Sequence, residues 1–220
     1  MLTDNINFKN FKDKIKIKNH NSQKNLNLLL KKKNQILNSL GDNYKNSYKK
    51  KSLDKYKKSL NFRIIGMGGS TLGTQAIYDF LNKKISKNFN FSDNLQLNKK
   101  KYKNKRVTNL IISKSGNTIE TIVNANILIK KKDTNIFITE KKKSDLYLLA
   151  EKLKAEIIHH NNYIGGRYSV LSEVGMLPAE LMGLNVSKFR QLNNLVKNKN
   201  FLNNLISNVS STIFLIKKKK

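Results

Sequence analysis

The 220-residue chain contains no cysteine, which excludes disulfides and thiolate metal sites alike. Acidic residues are scarce: 14 stand against 44 basic ones, for a formal charge of +30. The N-terminal MLTDNINFKNFKDK lacks the apolar core of a signal peptide, and no apolar run is long enough to span a bilayer. A cytoplasmic protein without a membrane partner is therefore expected. No internal repeat is present. Hydrophobic residues are few, at 38%, but they gather into runs, so one large domain, or a domain with a helical appendage, can still bury a core.

Such an excess of positive charge suggests nucleic acid or an anionic surface as a partner. The placement of the lysines argues otherwise. They come as triplets at Lys31–Lys33, Lys49–Lys51, Lys99–Lys101, Lys130–Lys132 and Lys141–Lys143, and as four at Lys217–Lys220. All lie between or at the ends of apolar segments, as solvated surface does. Lysine, asparagine and isoleucine are also the residues that an AT-rich genome encodes most readily. No RNA-reading aromatic motif, zinc spacing or recognition-helix pattern accompanies them. No nucleic-acid partner is expected, and a basic nucleic-acid-binding protein stands as the alternative from a different class.

Residues 1–59 are polar and lysine-rich, with leucines at Leu26, Leu28–Leu30, Leu37 and Leu40. That spacing predicts a helix or two packing on something larger. From Leu60 the texture changes. LNFRIIGMGG is a short apolar strand ending in glycines, and the helix after it has Leu72, Ala76, Ile77, Phe80 and Leu81 on one face. FNFSDN from Phe89, VTNLIIS (Val107–Ser113), TNIFITE (Thr134–Glu140) and EIIHHN (Glu156–Asn161) are four further strands. Helices are predicted over Thr118 to about Lys131, over Leu146–Leu153, and from about Ser169. Strands alternating with amphipathic helices specify an α/β three-layer sandwich around a five-stranded parallel sheet. The expected division is a helical segment over 1–59, the sandwich over 60–184, and helices over 185–220.

In an open parallel sheet, ligands bind at the carboxyl ends of the strands. Three unusual loops follow strands here, so all three should open on that edge. GMGGS (Gly66–Ser70) lets the backbone turn sharply, and Ser70 is placed to cap the helix behind it. A dinucleotide site competes for this loop, with Asp93 near the position of a ribose-binding acid. However, Thr71 stands where the third glycine of G-x-G-x-x-G belongs. SKSGNT (Ser113–Thr118) gathers hydroxyls, amides and a helix start, a cradle for a monophosphate that needs no metal. A Walker loop is absent, which argues against nucleoside triphosphates. NNYIGGR ends in Arg167 after Gly165 and Gly166, in a stretch to Gly183 that holds the only proline, Pro178, and no lysine. A fixed guanidinium there suits an oxygen that gains negative charge during reaction.

GMGGSTLG, SKSGNTIET and GGRYSVLSEVGMLPAELMG, taken together, resemble the successive signatures of the glucose-6-phosphate isomerase family. The first two also resemble the wider sugar-isomerase (SIS) superfamily, of which a phosphosugar sensor or aminosugar isomerase is the alternative member. The resemblance covers about Leu60–Gly183. It implies a cofactor-free interconversion of glucose 6-phosphate and fructose 6-phosphate through an enediolate, in glycolysis and gluconeogenesis, by a homodimer. It further implies that Gly69 and Ser70 contact the sugar, with Gly166 close by. Ser113, Lys114, Ser115 and Thr118 would hold the phosphate, Lys114 through its backbone amide, and Arg167 would stabilise the enediolate. Asn117 departs from the threonine usual in the family.

The family's glutamate base, in an E-S-L-G-K-like motif of a second sugar-isomerase domain, has no match in this sequence. Neither does its ring-opening histidine or its lysine near the C-terminus. The final helix resembles the one that leads into that second domain. Glu120, Glu173 and Glu180 read as structural or capping residues. His159 and His160 end a strand without a carboxylate partner at recognisable spacing, and His20 lies in a polar stretch.

Overall fold

The computed structural model describes residues 20–32, 34–95, 106–191 and 197–218. Residues 1–19 of the N-terminal segment and the lysines at 99–101 lie outside the described residues. In chain order the helices are α1 (His20–Lys31), α2 (Gln35–Leu40), α3 (Asp54–Lys57), α4 (Leu72–Leu81), α5 (Ile119–Leu128), α6 (Asp145–Lys152), α7 (Glu173–Leu181) and α8 (Lys199–Lys218). The strands are β1 (Asn61–Gly66), β2 (Asn88–Ser92), β3 (Thr108–Ile112), β4 (Thr134–Thr139) and β5 (Glu156–His159). Two compact units result. One takes the described residues up to Asp42 and from Phe189 onward, and the other spans Asn43–Lys188.

Within the first unit, Asn34 caps α2, its Oδ1 accepting from the Ile36 amide at 2.8 Å. Arg190 donates to the carbonyls of Ser39 and Gly41 at 3.0 and 3.1 Å, and Ser210 of α8 donates to Ser22 of α1 at 2.9 Å. The leucines at 28–30 form helix as expected, yet each is about half exposed.

The second unit holds the predicted sheet, five strands in the order β2-β1-β3-β4-β5 with every pairing parallel. Side chains alternate between its faces. Ile65, Ile111 and Phe137 stand in register on one face and pack with Ala125 of α5 and with Leu146 and Ala150 of α6. Their neighbours Ile64, Leu110 and Ile136 face the other way and are equally buried. Both faces are therefore covered, as a parallel sheet requires. The lysine triplets at 49–51, 130–132 and 141–143 are exposed. The middle triplet follows α5, which stops at Leu128, rather than closing it.

The inward face of α4 differs from the predicted stripe. Leu72 and Phe80 are 58% and 89% exposed; of the predicted stripe Ile77 is buried, and Thr74, outside it, is buried as well. The cause is close helix packing. Gly73 lies against Val170, where a Cβ would come within 2.8 Å, so a small-residue face turns inward and the leucine and phenylalanine stay outside. Thr74 also supplies chemistry. Pro178, inside α7, has no N–H for the carbonyl four residues back, that of Val174. Thr74 Oγ1 donates to that carbonyl at 3.2 Å.

α7 opens later than predicted. A 3-10 turn covers Gly166–Leu171, and the α-helix starts at Glu173 behind the N-cap Ser172, whose Oγ accepts from the Val174 amide at 3.3 Å. Glu173 is fully buried, and here His160 finds the carboxylate that its sequence spacing did not reveal. His160 Nδ1 lies 2.7 Å from Glu173 Oε1, and Tyr44 Oη donates to Oε2 at 3.0 Å. Asn161 joins them, its amide donating to Oε1 at 3.4 Å and its Nδ2 to Tyr44 Oη at 2.9 Å.

Burial alone would raise the Glu173 pKa. The hydrogen bonds from His160 and from its own backbone, with the His160 charge and the Tyr44 hydroxyl, outweigh burial and hold the carboxyl below its usual range. Burial first, and then the facing carboxylate, push the Tyr44 phenol well above its ordinary value, so it stays a donor. A carboxyl whose pKa is lower folded than unfolded adds stability above the unfolded value, near ~4.3, and loses it as pH falls through the folded value. Urea unfolding from pH 6 to pH 3 should therefore show stability falling below about pH 4.3. Glu173→Gln should cost about 1–3 kcal/mol at pH 6 and flatten that acid limb. An equal acid slope in both proteins would contradict the assignment.

Candidate functional site

β1, β3 and β5 are parallel, so the loops at their carboxyl ends leave the sheet along one edge. β1 and β3 are neighbours, whereas β5 is two places from β3. The loop after β5 nevertheless comes back to the loop after β1. A Cβ on Gly69 would lie 2.4 Å from the carbonyl carbon of Gly166, so only a glycine backbone fits this crossing. Ser169, read in the sequence only as a helix start, ties it together: its Oγ donates to the Gly69 carbonyl at 3.0 Å and to that of Gly166 at 2.8 Å. The signal that could have found it is its position three residues after Gly166, where a serine closes a turn.

Ser70 does not cap α4. It lies within the 3-10 turn Gly68–Ser70, and Thr71 takes the N-cap position without a side-chain bond into the helix. The Thr71 hydroxyl donates to the Gly68 carbonyl at 3.2 Å instead. Ser70 is half-buried beside the glycine crossing, and its hydroxyl makes no hydrogen bond among the described residues.

The Ser113–Thr118 loop is braced from below. Ser113 is buried, and its Oγ lies 2.9 Å from Thr118 Oγ1 and accepts from the Gly116 amide at 3.2 Å. Gly116 has φ +69°, in the left-handed region that favours glycine, and a Cβ there would strike Ser144. Ser115 is exposed and Thr118 half-buried, so these two hydroxyls are the ones on the open side. The Lys114 carbonyl accepts from the Glu140 amide at 3.1 Å and from Thr139 Oγ1 at 3.3 Å. The Lys114 ammonium is 3.8 Å from the Glu140 carboxylate.

Asn117, the departure from the family pattern, has a clear task. Its Oδ1 accepts from the Asp145 amide at 3.0 Å, tying the loop to the first turn of α6. Arg167, by contrast, is exposed and makes no ion pair or hydrogen bond among the described residues. Glu120 lies in the first turn of α5, and Glu180 is an ion-pair partner of Lys50 at 3.4 Å.

The site therefore gathers three loops on one strand edge: a glycine crossing, a braced hydroxyl cradle at a helix start, and an unengaged guanidinium. Comparison with known proteins shows the family. Residues 12–209 match the family described as phosphoglucose isomerase. The glucose-6-phosphate isomerase of Methanocaldococcus jannaschii is 36% identical over 173 residues, which cover 70% of this chain and 42% of that protein. That of Acholeplasma laidlawii is 37% identical over 147 residues, covering 57% of this chain and 34% of its own length. The chain thus spans less than half the length of these relatives. A hypothetical protein of Thermus thermophilus superposes with a TM-score of 0.64 at 20% identity, over 90% of this chain and 52% of that one, which supports the fold. With the match running through nearly the whole chain and through all three loops, this chain belongs to the phosphoglucose isomerase family.

Proposed function

We propose that this chain forms the sugar-phosphate-binding part of a glucose-6-phosphate isomerase, acting on glucose 6-phosphate and fructose 6-phosphate. The observation that carries the reading is the crossing of Gly69 and Gly166, which brings the β1 and β5 loops together with Arg167 left free. In this reading the phosphate sits on the Ser115 and Thr118 hydroxyls and the loop amides at the start of α5, where the helix dipole favours an anion. Ser113 braces that loop, and Lys114 contributes its amide. Gly69, Ser70 and Gly166 lie against the sugar, whose approach requires bare backbone. Arg167 faces the oxygen that becomes negative in the enediolate, a charge that a fixed guanidinium stabilises in the transition state more than in the ground state.

Stabilising an enediolate is not the same as forming it. Proton transfer between adjacent carbons needs a base within hydrogen-bond reach of a weakly acidic C–H, and a positioned base contributes about 10²- to 10⁴-fold. No residue of this chain takes that role in our reading. Glu173 is buried and held by three groups, and Glu180 faces Lys50.

Calorimetry with 6-phosphogluconate and with gluconate tests the cradle. The phosphorylated ligand should bind and gluconate should not, and equal affinity would reject it. Gly69→Ala should force the crossing apart, a strain of about 1–3 kcal/mol, and weaken 6-phosphogluconate by roughly tenfold or more. The chain alone should show no turnover in a coupled fructose 6-phosphate assay, using protein from a host lacking its own isomerase. Turnover near that of a full-length relative would show that a base in this chain had been misjudged.

A further inference from the structure

Arg167 has no partner of its own among the described residues, so its position depends on what holds its loop. The C-terminal side is pinned by Ser169 at the Gly69–Gly166 crossing. The N-terminal side begins at Asn161, directly after the histidine that follows β5. Here both the main chain and the side chain are held: the Asn161 amide by Glu173 Oε1 at 3.4 Å, and its Nδ2 by Tyr44 Oη at 2.9 Å. Between the pins, the Ile164 amide donates to the Asn161 carbonyl at 3.1 Å, and Ile164 is fully buried. The loop is thus a short tether between two fixed points.

The first point is an uncommon use of a charge. A buried carboxylate is expensive unless its oxygens are satisfied. Here both oxygens of Glu173, at the start of α7, are satisfied by groups from separate parts of the chain: Tyr44 ahead of the sheet, and His160 and Asn161 behind β5. A capping role alone would not require this, because Ser172 already caps α7. The carboxylate only accepts, so His160 must carry its proton on Nδ1, whether neutral or charged.

We infer that Glu173, with Tyr44 and His160, is a positioning residue: the buried clamp fixes Asn161 and thereby sets where the Gly165–Arg167 loop presents its guanidinium. This rests on the reading of Arg167 as a ligand contact. It assigns Glu173 no contact with the ligand. The clamp acts through the loop, and its loss should appear in that loop and nowhere else along the strand edge.

The test uses the full 220-residue chain with Glu173→Gln and, in case that variant folds poorly, Tyr44→Phe. Amide hydrogen exchange over residues 161–168 should rise by about tenfold in either variant, while residues 113–118 stay at the wild-type rate. Nitrogen-15 histidine spectra should show one ring with a protonated Nδ1 that changes in Glu173→Gln. Unchanged exchange in the loop, or an equal rise in both segments, would overturn the inference. Calorimetry with 6-phosphogluconate completes a cycle with Arg167→Ala. Glu173→Gln should weaken binding by about tenfold in the wild-type background and have no further effect once Arg167 is gone. A full effect in the Arg167→Ala background would also overturn the clamp. If Arg167→Ala itself binds as well as wild type, the reading of Arg167 fails instead, and the exchange result alone decides whether the clamp sets the loop.

Discussion

Two glycine backbones meet where the loop after β1 crosses the loop after β5, and a single added carbon at Gly69 would lie 2.4 Å from the Gly166 carbonyl carbon. Most of what surrounds the site serves this contact. β5 lies three strands from β1, so the chain must run back across the edge to reach it. The 3-10 turn Gly166–Leu171 makes that return compact, and Ser169 closes it with two carbonyl contacts. α4 then packs on the same turn through Gly73, and its Thr74 repairs the carbonyl that Pro178 leaves bare in α7. The packing, the proline and the crossing form one chain of consequences. A larger residue at Gly69 or Gly73 acts on all of them.

How much of this was legible in the sequence depended on whether the signal was local. The five strands were legible because buried parallel strands read as short apolar runs bounded by polar stretches. The three loops were legible for the same reason. The inward face of α4 was not. Apolar periodicity ranks Leu72 and Phe80 above Thr74, yet the available space against Val170 selects small residues. The His160–Glu173 pair was hidden because its members belong to different elements, with a loop and a 3-10 turn between them. Ser113 and Ser70 show the limit within a motif. Residue type marked both as polar groups of the site, but only the backbone path shows that Ser113 braces the loop from beneath. The same path places Ser70 in the turn before α4 and takes it away from the cap.

The two ends of α5 show how the sheet divides its work. Across the sheet, Arg63, Asn109 and Asn135 stand in register on β1, β3 and β4. Arg63 Nη1 donates to the Leu128 carbonyl at 2.8 Å, the last residue of α5, and to Asn109 Oδ1 at 3.4 Å. Asn109 passes the network on to Asn135 at 2.8 Å and to Asp133 at 3.4 Å. A nearly buried guanidinium is costly, but here it faces the negative end of a helix dipole and a row of acceptors. The opposite end of the same helix carries the SKSGNT loop, where the dipole is positive and the side chains are neutral hydroxyls. One helix thus has its carboxyl end neutralised by a built-in cation. Its amino end, about 15 Å away along ten residues, keeps the positive end of the dipole, and the Lys114 ammonium in the preceding loop lies 3.8 Å from Glu140. In a chain with 44 basic residues, the proposed reading would have an anion meet oriented amides and hydroxyls at one fixed place, unlike the exposed triplets Lys130–Lys132 and Lys141–Lys143.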